Sequence, residues 1–340
     1  MKKVLLLICL SVFFFSDCSK PKLASLATKT DLTKKAKPDF NKNKIRESGK
    51  GYSVDMSKVG HMPKKVALVS FYVDDPGLFK ETKVGNTISY TTTNTGTANA
   101  KIFANDFYSK SIETLKTTFK SYDMELLTPA EFLTNDDQKQ FYNDFKVKHS
   151  SLANIGDKLG KFFKKMGNAG TTIETDESAD GFGVVKINKR EISDYKKKGV
   201  QPTNLNSCGD DQMLESIGYD LCKNLEVDAV LIVFNTQLAS NGWAGKSNYW
   251  MGAVNMHMFG PNPLPLKEGK KDNMFYCKGI WYAGFRTTFS KGLLINSEKR
   301  KSTDEEKKVI DANNITAYNN IVKGLANKMG TYLKKELEAK

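Results

Sequence analysis

Beyond its first segment, the chain of 340 residues has no apolar run long enough to cross a bilayer as a helix, which takes about 20 residues. Histidine is also scarce. His61, His149 and His257 lie far apart, and none has a second histidine or cysteine at metal-ligand spacing. The Gly-x-Ser-x-Gly elbow of many hydrolases is missing as well. We therefore predict no catalytic residue, no metal site and no cofactor.

The remaining catalytic candidates have simpler structural interpretations. Residues 240–247 end like a phosphate-binding loop, but Ser240 stands where the motif needs its first glycine, and strand-like residues follow. Asp74–Asp75 and Asp210–Asp211 fit turn formation and helix capping. His257 alternates with methionines on a strand, which favours a half-buried structural role. A hydrolase whose site gathers Asp210, Asp211 and His257 is kept only as an alternative.

The first segment has the pattern of a signal peptide. Lys2 and Lys3 precede an apolar run from Val4 to Phe15 that is interrupted only by Ser11. With about a dozen residues, this run is too short to be a permanent membrane span. We predict that residues 1–17 are a signal peptide and that the protein is exported.

Directly after this run, Phe15-Ser16-Asp17-Cys18 resembles the lipobox of bacterial lipoproteins. The resemblance implies that Cys18 is acylated and becomes the new N-terminus. Ser16 fits the motif, whereas Asp17 departs from the small residue usual before the cysteine. We expect a lipid anchor in the cell envelope, on the outer membrane facing the periplasm. The alternative is plain secretion after cleavage near Ala27.

The positive charge of the chain is concentrated behind Cys18. The net charge is +14, and residues 19–65 contain thirteen Lys or Arg against four Asp or Glu. This stretch has few large apolar residues and no sustained periodicity, so it cannot repay the entropy of ordering. We predict that residues 18–63 are a disordered basic tether. Its charge favours anionic lipid or a cell-wall polymer, and export argues against nucleic acid.

Three cysteines follow Cys18 in the mature chain, and an oxidising compartment allows one disulfide among them. Cys222 lies on the apolar side of a predicted helix, which favours a buried free thiol. Cys208 and Cys277 are therefore the possible disulfide pair.

From residue 64 onward the pattern becomes regular. The run from Val66 to Val73 predicts a buried strand, which Asp74-Asp75-Pro76-Gly77 ends as a turn. Residues 82–100 predict a long loop or hairpin. Apolar residues then recur at helical spacing from Phe103 to Phe119, followed by a strand at 122–127 and a short helix after Thr128-Pro129.

The second half repeats this order. Leu214, Ile217, Leu221 and Leu225 predict one helix face, and residues 227–234 the clearest strand. Two more strands surround residues 254–259 and 280–286. A terminal helix places its apolar residues on one face: Ile315, Tyr318, Val322, Leu325, Met329 and Leu333. We predict an α/β domain over residues 64–335, with a mixed sheet and helices packed on it.

Three segments carry a resemblance to a family of periplasmic lipoproteins, which includes the curli-secretion channel lipoprotein and the activators of penicillin-binding proteins. They are Lys65-Val66-Ala67-Leu68-Val69, residues 122–127 after a helix, and Val227-Asp228-Ala229-Val230-Leu231-Ile232 after another. The resemblance implies a small α/β domain on a lipid tether that contacts other proteins without catalysis.

The chain departs from this family by an insertion at about residues 135–206. Leu152 to Met166 form an apolar helical stripe with lysines beside it. Such a helix can lie on an anionic membrane, but packing of the stripe on the domain is the favoured interpretation. Residues 167–183 are rich in Gly, Thr, Asp and Glu, which predicts a mobile loop.

The leading functional hypothesis is a non-catalytic envelope protein that assists assembly or secretion by binding an unidentified envelope protein or cell-wall polymer. The aromatic residues Trp243, Tyr249 and Trp250 are the predicted partner site, because tryptophan and tyrosine bury large areas against partners. Trp281 and Tyr282 are expected on opposite faces of a strand. The alternative is an oligomeric pore component with Lys83–Lys101 or Gly181–Tyr195 as membrane-inserting hairpins.

Overall fold

The structure is a computed structural model. It describes residues 37–38, 44–45, 52–53, 60–75, 78–84, 87–93, 95–146, 175–187, 214–241, 247–263, 278–297 and 304–338. The predicted signal peptide lies outside these ranges. So does most of the predicted tether and the lysine-flanked stripe from Leu152 to Met166.

Eleven strands are present in the described residues. They are β1 (Lys37–Pro38), β2 (Lys44–Ile45), β3 (Tyr52–Ser53), β4 (Lys65–Asp75), β5 (Leu78–Val84), β6 (Thr87–Thr93), β7 (Glu125–Leu127), β8 (Thr175–Ser178), β9 (Ala229–Asn241), β10 (Ser247–Pro261) and β11 (Gly279–Ser297).

Five helices accompany these strands in the same part of the chain. They are α1 (Thr97–Lys120), α2 (Pro129–Phe132), α3 (136–146), α4 (214–225) and α5 (Asp304–Glu338). Within α4, Ser216–Asp220 form a π-helical turn that leads into Leu221–Leu225.

The main sheet is mixed, as predicted. Its order is β1-β11-β10-β9-β4-β7, and β8 pairs with β4 on the same side as β7. β4 runs parallel to β7 and β9, whereas β9, β10 and β11 form an antiparallel meander. β4 lies at the centre because ten of its eleven residues are buried, which a strand covered on both faces requires.

Helices cover both faces of the sheet. The first face packs against α1 and α5, and its core includes Leu68, Leu231, Met256, Phe107 and Leu325. The second face packs against α2, α3 and α4, and its core includes Val69, Ile232, Phe132, Tyr142 and Leu221. The molecule is therefore a three-layer α/β structure, in agreement with the predicted fold class.

Helix α1 begins and ends at residues that suit its termini. It starts after Gly96, whose φ of 77° is a conformation that favours glycine. It ends at Ser121, and Asp123 then takes a left-handed φ of 59° before β7 begins. α2 begins with a capping box, in which the Glu131 carboxylate accepts the Thr128 backbone N–H at 2.8 Å.

The hairpin that follows β4 lies earlier than predicted. β5 and β6 pair from Leu78↔Thr93 to Val84↔Thr87, and α1 already begins at Thr97. The segment Lys83–Lys101 therefore contains the end of β5, all of β6 and the first residues of α1. The second proposed pore hairpin is Gly181–Tyr195. Its described part, residues 181–187, contains no strand, and Val185 and Ile187 are buried.

Part of the insertion is integrated into the fold. Residues 175–178, expected in a mobile loop, form β8 on the edge of β4 instead. The segment after β8 is fixed by Ser70, whose Oγ donates to the Gly183 carbonyl at 2.6 Å and accepts the Val185 N–H at 3.0 Å. Backbone pairing thus overrides the polar composition that suggested a loop.

Two further expectations are wrong in detail. Ile315 was placed on the apolar face of the terminal helix, yet it is 44% exposed, because the packed face of α5 is centred on Tyr318, Ile321 and Leu325. Asp74 and Asp75 do not form a turn. Both continue β4 and are buried, and the Asp75 carboxylate accepts the Thr95 backbone N–H just before α1.

Candidate functional site

The predicted aromatic partner site falls mostly inside the fold. Trp243 lies outside the described residues. Trp250 belongs to β10 and not to a loop, where it is half-buried and paired with Leu238 and Leu294. Tyr249, the residue before it, is only 4% exposed. Of the two predicted residues that the structure describes, Trp250 is half-buried and Tyr249 is buried.

Tyr249 is buried because it joins the sheet to α1. Its ring packs on Phe103 with the centroids 5.1 Å apart. Its hydroxyl accepts a hydrogen bond from Nδ2 of Asn99 at 2.9 Å, in the first turn of the helix. A residue held in this way is a core contact and not a surface for a partner.

Trp281 and Tyr282 lie on opposite faces of β11, as expected from their adjacency. Tyr282 is buried and donates its hydroxyl to the Pro261 carbonyl at 2.8 Å, and burial raises the pKa of this phenol. Trp281 is half-buried, stacked on Phe259 with centroids 6.0 Å apart. One of the two residues is thus fully in the core.

Of the predictions made for cysteines, only the one for Cys222 falls on residues that the structure describes. Cys18, Cys208 and Cys277 lie outside the described residues, so acylation and the disulfide pair stay predictions. Cys222 is a buried free thiol in α4, as predicted. Burial raises the pKa of this thiol, with the nearby Asp228 carboxylate as a second cause. Cys222 therefore stays protonated and is a poor nucleophile.

His257 is fully buried instead of half-buried. Its ring lies between Phe234, at 5.9 Å, and Trp281, at 5.4 Å, over the backbone of Gly284. Burial, with a smaller contribution from Arg286, lowers the pKa of His257 to about 3. The imidazole is neutral at physiological pH and enclosed by aromatic rings, which suits a structural residue better than a general base.

The carboxylates do not converge on His257 in the described part of the chain. Asp210 and Asp211 lie outside it, and Asp74 pairs with Thr236 on the neighbouring strand. Asp176 in β8 forms an ion pair with Lys186. No described group of three or more His, Cys, Asp or Glu residues is arranged to hold a metal ion.

The most unusual group of side chains lies on the first face of the sheet, beneath the start of α1. Here β9 continues its apolar run with Asn235-Thr236-Gln237. Asn235 pairs with Val254, and Val254 pairs with Thr287 of β11, so the three share one row and one face. Because Asp74 pairs with Thr236, Asp75 and Gln237 lie level on that same face.

Two residues outside the sheet, Asn314 in helix α5 and Thr95 just before helix α1, complete this group. Asn314 of α5 donates to the Ile295 carbonyl of β11 at 2.9 Å. Thr95 precedes α1 and is linked to Asp75 through its backbone N–H. We use the name amide cluster for the following five residues, all at most 2% exposed: Thr95, Asn235, Gln237, Thr287 and Asn314.

The amide cluster is costly to bury as it stands. Seven of its side-chain atoms have no hydrogen-bond partner in the described structure: both amide atoms of Asn235 and of Gln237, the hydroxyls of Thr95 and Thr287, and Oδ1 of Asn314. Each such buried group costs about 1–3 kcal/mol. Native proteins contain only a few of them per hundred residues, so this density requires an explanation.

Sequence reasoning did not find this cluster. The signal was present in residues 235–237, where three amide or hydroxyl side chains interrupt the strongest strand of the chain. The strand prediction stopped at residue 234, so these residues were left without a position. Once β9 extends to Asn241, they lie in the centre of the sheet.

In comparisons with known proteins, no family model, no curated protein and no solved structure matches this chain. The resemblance to periplasmic lipoproteins therefore stays a prediction from the sequence. None of the described helices combines the length and the apolar character that crossing a membrane requires.

Proposed function

We propose that this protein is an exported, lipid-anchored envelope protein that acts by binding other envelope components and not by catalysis. The observation that carries the proposal is the order of the N-terminal sequence. Two lysines, an apolar run of about a dozen residues and Cys18 follow one another directly. A basic segment then leads to the α/β domain, whose first long strand begins at Lys65.

The placement of the domain supports this proposal. An acylated Cys18 is separated from β1, the first strand paired to the main sheet, by 18 residues and from β4 by 46 residues, which span at most about 60 Å and about 150 Å when fully extended. A domain on such a lead can reach partners well away from its own membrane surface. The basic residues of this lead are suited to anionic lipid or cell-wall polymer close to the anchor.

The experiment compares Cys18→Ala with Cys9→Ala in the native host. Cys9 lies inside the apolar run and is the matched control, since it changes the same residue type without removing the acylation site. We expect wild type and Cys9→Ala in the detergent-rich phase, and Cys18→Ala in the soluble fraction. Partitioning of Cys18→Ala with the detergent would contradict a lipid anchor.

Binding of partners needs its own measurement. Crosslinking in intact envelope, followed by purification of the full-length chain, should capture one envelope component in amounts comparable to the bait. Cys18→Ala should lose this product if the partner is met only at the membrane. Recovery of the bait alone from crosslinked wild-type envelope would contradict the proposal.

A further inference from the structure

We propose that Lys186 and Asp176 become joined by an isopeptide bond, which is an amide between the side-chain amine of the lysine and the side-chain carboxyl group of the aspartate. Nζ of Lys186 is in direct contact with Oδ2 of Asp176. The carboxyl carbon, with which the amine would react, is one bond further away. The reacting groups are therefore held together before any reaction, which is the arrangement that makes an intramolecular step fast.

The pair is enclosed by the fold. The Lys186 side chain is 18% exposed and the Asp176 side chain 8%, whereas the corresponding values for the surface pair Lys101–Asp180 are 37% and 78%. Removing two charges from water is costly, and their mutual attraction repays that cost only in part. An amide carries no charge, so forming it removes the cost. Burial also favours the neutral amine, which is the form of lysine that acts as a nucleophile.

Backbone contacts fix the position of both residues. Asp176 lies in β8, which pairs with the end of β4. Lys186 lies between Val185 and Ile187, which are both buried, and the Val185 N–H donates to Oγ of Ser70 at 3.0 Å. The amine and the carboxyl group thus meet as a consequence of folding.

A second carboxyl group lies beside the pair. Asp74 of β4 is directly opposite Asp176 in the antiparallel pair of β4 and β8, so the two side chains share one face, with Cβ atoms about 4.5–5.5 Å apart. Asp74 is only 5% exposed. Amide formation needs a group that takes a proton from the nitrogen and gives one to the departing oxygen, and a neighbouring carboxyl group can do both. Asp74 is in place for these two transfers.

The reaction balances without an added reactant. A proton of the Lys186 ammonium first passes to the Asp176 carboxylate, which leaves a neutral amine and a carboxylic acid. Nζ then attacks the carboxyl carbon of Asp176 and forms the C–N bond, while Asp74 accepts a proton from the nitrogen and donates one to the hydroxyl oxygen. The C–O bond breaks and one water molecule leaves. Nothing is oxidised or reduced, and the change happens once in each chain, so it is separate from the non-catalytic role proposed above.

The test is peptide mass spectrometry of the full-length chain, purified from its host and unfolded before digestion with trypsin. If Lys186 is free, trypsin cleaves after it and releases the peptide 166–186. If Lys186 is linked, trypsin does not cleave there, and we expect the peptide 166–189 with a mass lower by one water molecule. A succinimide at Asp180–Gly181 would also lose water, but it would leave the cleavage after Lys186 intact.

Two variants test the cause, and a third is the control. Asp74→Asn keeps the size of the side chain and leaves the ion pair in place, so we expect the linked peptide to fall about tenfold or more. Asp74→Glu keeps a carboxyl group and should retain the link, which separates loss of the proton carrier from loss of the fold. Lys101→Met removes the partner of the exposed Asp180 and should leave the linked peptide unchanged.

Two results would contradict the proposal. Complete cleavage after Lys186 in the wild-type chain, with the peptide 166–186 at its full mass, would make the contact with Asp176 an ordinary ion pair. An equal amount of linked peptide in wild type and in Asp74→Asn would refute the part assigned to Asp74. Neither readout depends on the anchor at Cys18, so this inference and the proposed function fail separately.

Discussion

The side-chain amide of Asn99, in the first turn of α1, donates a hydrogen bond to the hydroxyl of Tyr249 in β10 over 2.9 Å. This contact joins two residues that are 150 positions apart in the chain and holds the start of α1 against β10. It also explains why Tyr249 is not available to a partner, since its ring and its hydroxyl are both occupied by α1.

Substitution of Tyr249 should therefore affect stability. Tyr249→Phe removes the hydroxyl and leaves the ring on Phe103, so we expect a loss of about 1 kcal/mol in the free energy of unfolding. Tyr249→Ala also removes the ring and should cost about 3–5 kcal/mol. Denaturant unfolding measures both. A Tyr249→Ala variant as stable as wild type would contradict the core position.

The tryptophans separate stability from binding. Trp250 is half-buried in β10, and we expect Trp250→Ala to lower the free energy of unfolding by about 1–3 kcal/mol.

Trp243 stays a predicted partner residue. We expect Trp243→Ala to leave the Tm nearly unchanged and to weaken capture of the crosslinked envelope partner about tenfold or more, which corresponds to about 1.4 kcal/mol. Unaltered capture by Trp243→Ala would exclude Trp243 from the interface.

Sequence reasoning identified the elements that carry a strong period or a long apolar run. β4 and β9 were found because central strands are buried on both faces, and α1 because Phe103, Phe107 and Phe119 recur at helical spacing. β8 and the hairpin β5–β6 carry no such signal, since Thr, Lys and Glu dominate them. β8 is positioned by backbone pairing with the distant β4, and β5 and β6 by pairing with each other, and local apolar patterns encode neither.

Functional residues were harder to predict from the sequence than the strands and helices. Tyr249 was taken as a surface residue because it is close in sequence to Trp243 and Trp250, but its ring and its hydroxyl are held by α1. The amide cluster was missed because its members come from two strands, one helix and one loop. Only the register of β9, β10 and β11 brings Asn235 and Thr287 into one row.

His257 should make stability fall in acid. An unfolded histidine has a pKa of about 6.5, whereas burial lowers the pKa of His257 to about 3. Between these values the unfolded chain binds one more proton, so the contribution of neutral His257 is complete above about pH 6.5 and is lost as the pH falls towards about 3. The loss is on the order of 1.4 kcal/mol per pH unit.

The variant His257→Phe keeps a planar ring between Phe234 and Trp281 and removes the titration. Urea unfolding from pH 7 to pH 4 should show a shallower decline for His257→Phe than for wild type. His61→Phe is the control, because His61 is exposed. Equal slopes for wild type and His257→Phe would mean that His257 is not buried as a neutral group.

The π-helical turn of α4 packs closely on the strands beneath it. A Cβ at Gly218 would lie 2.8 Å from the Gly260 carbonyl oxygen and 2.8 Å from the Ile280 nitrogen, both backbone atoms. Because neither atom can move without shifting β10 or β11, Gly218→Ala should cost about 1–3 kcal/mol.

Lys223→Ala is the control for this substitution, because Lys223 is an exposed residue of the same helix. We expect the free energy of unfolding to fall clearly for Gly218→Ala and little for Lys223→Ala. Comparable losses in the two variants would show that the backbone contact of α4 is not the cause.

The last prediction concerns the segment between Cys18 and β4. The sequence predicts a basic tether, yet Lys37 and Pro38 pair with Arg286 and Phe285 at the edge of β11. A proline is tolerated on such an edge strand because its missing N–H need not donate to a ladder. If the pairing contributes little, brief proteolysis should release a stable fragment that begins between His61 and Val66.

If β1 instead holds the segment to the sheet, the stable fragment should begin before Lys37, about 30 residues earlier. Mass spectrometry of the limit digest distinguishes the two starting points. A Lys37→Pro variant tests the cause, because it removes one backbone donor from the pair with Arg286 and leaves β4 intact. We expect an unchanged fragment if the segment is a tether, and a later start in the variant if β1 protects it. A wild-type fragment that begins before Lys37 would refute the predicted tether boundary at residue 63.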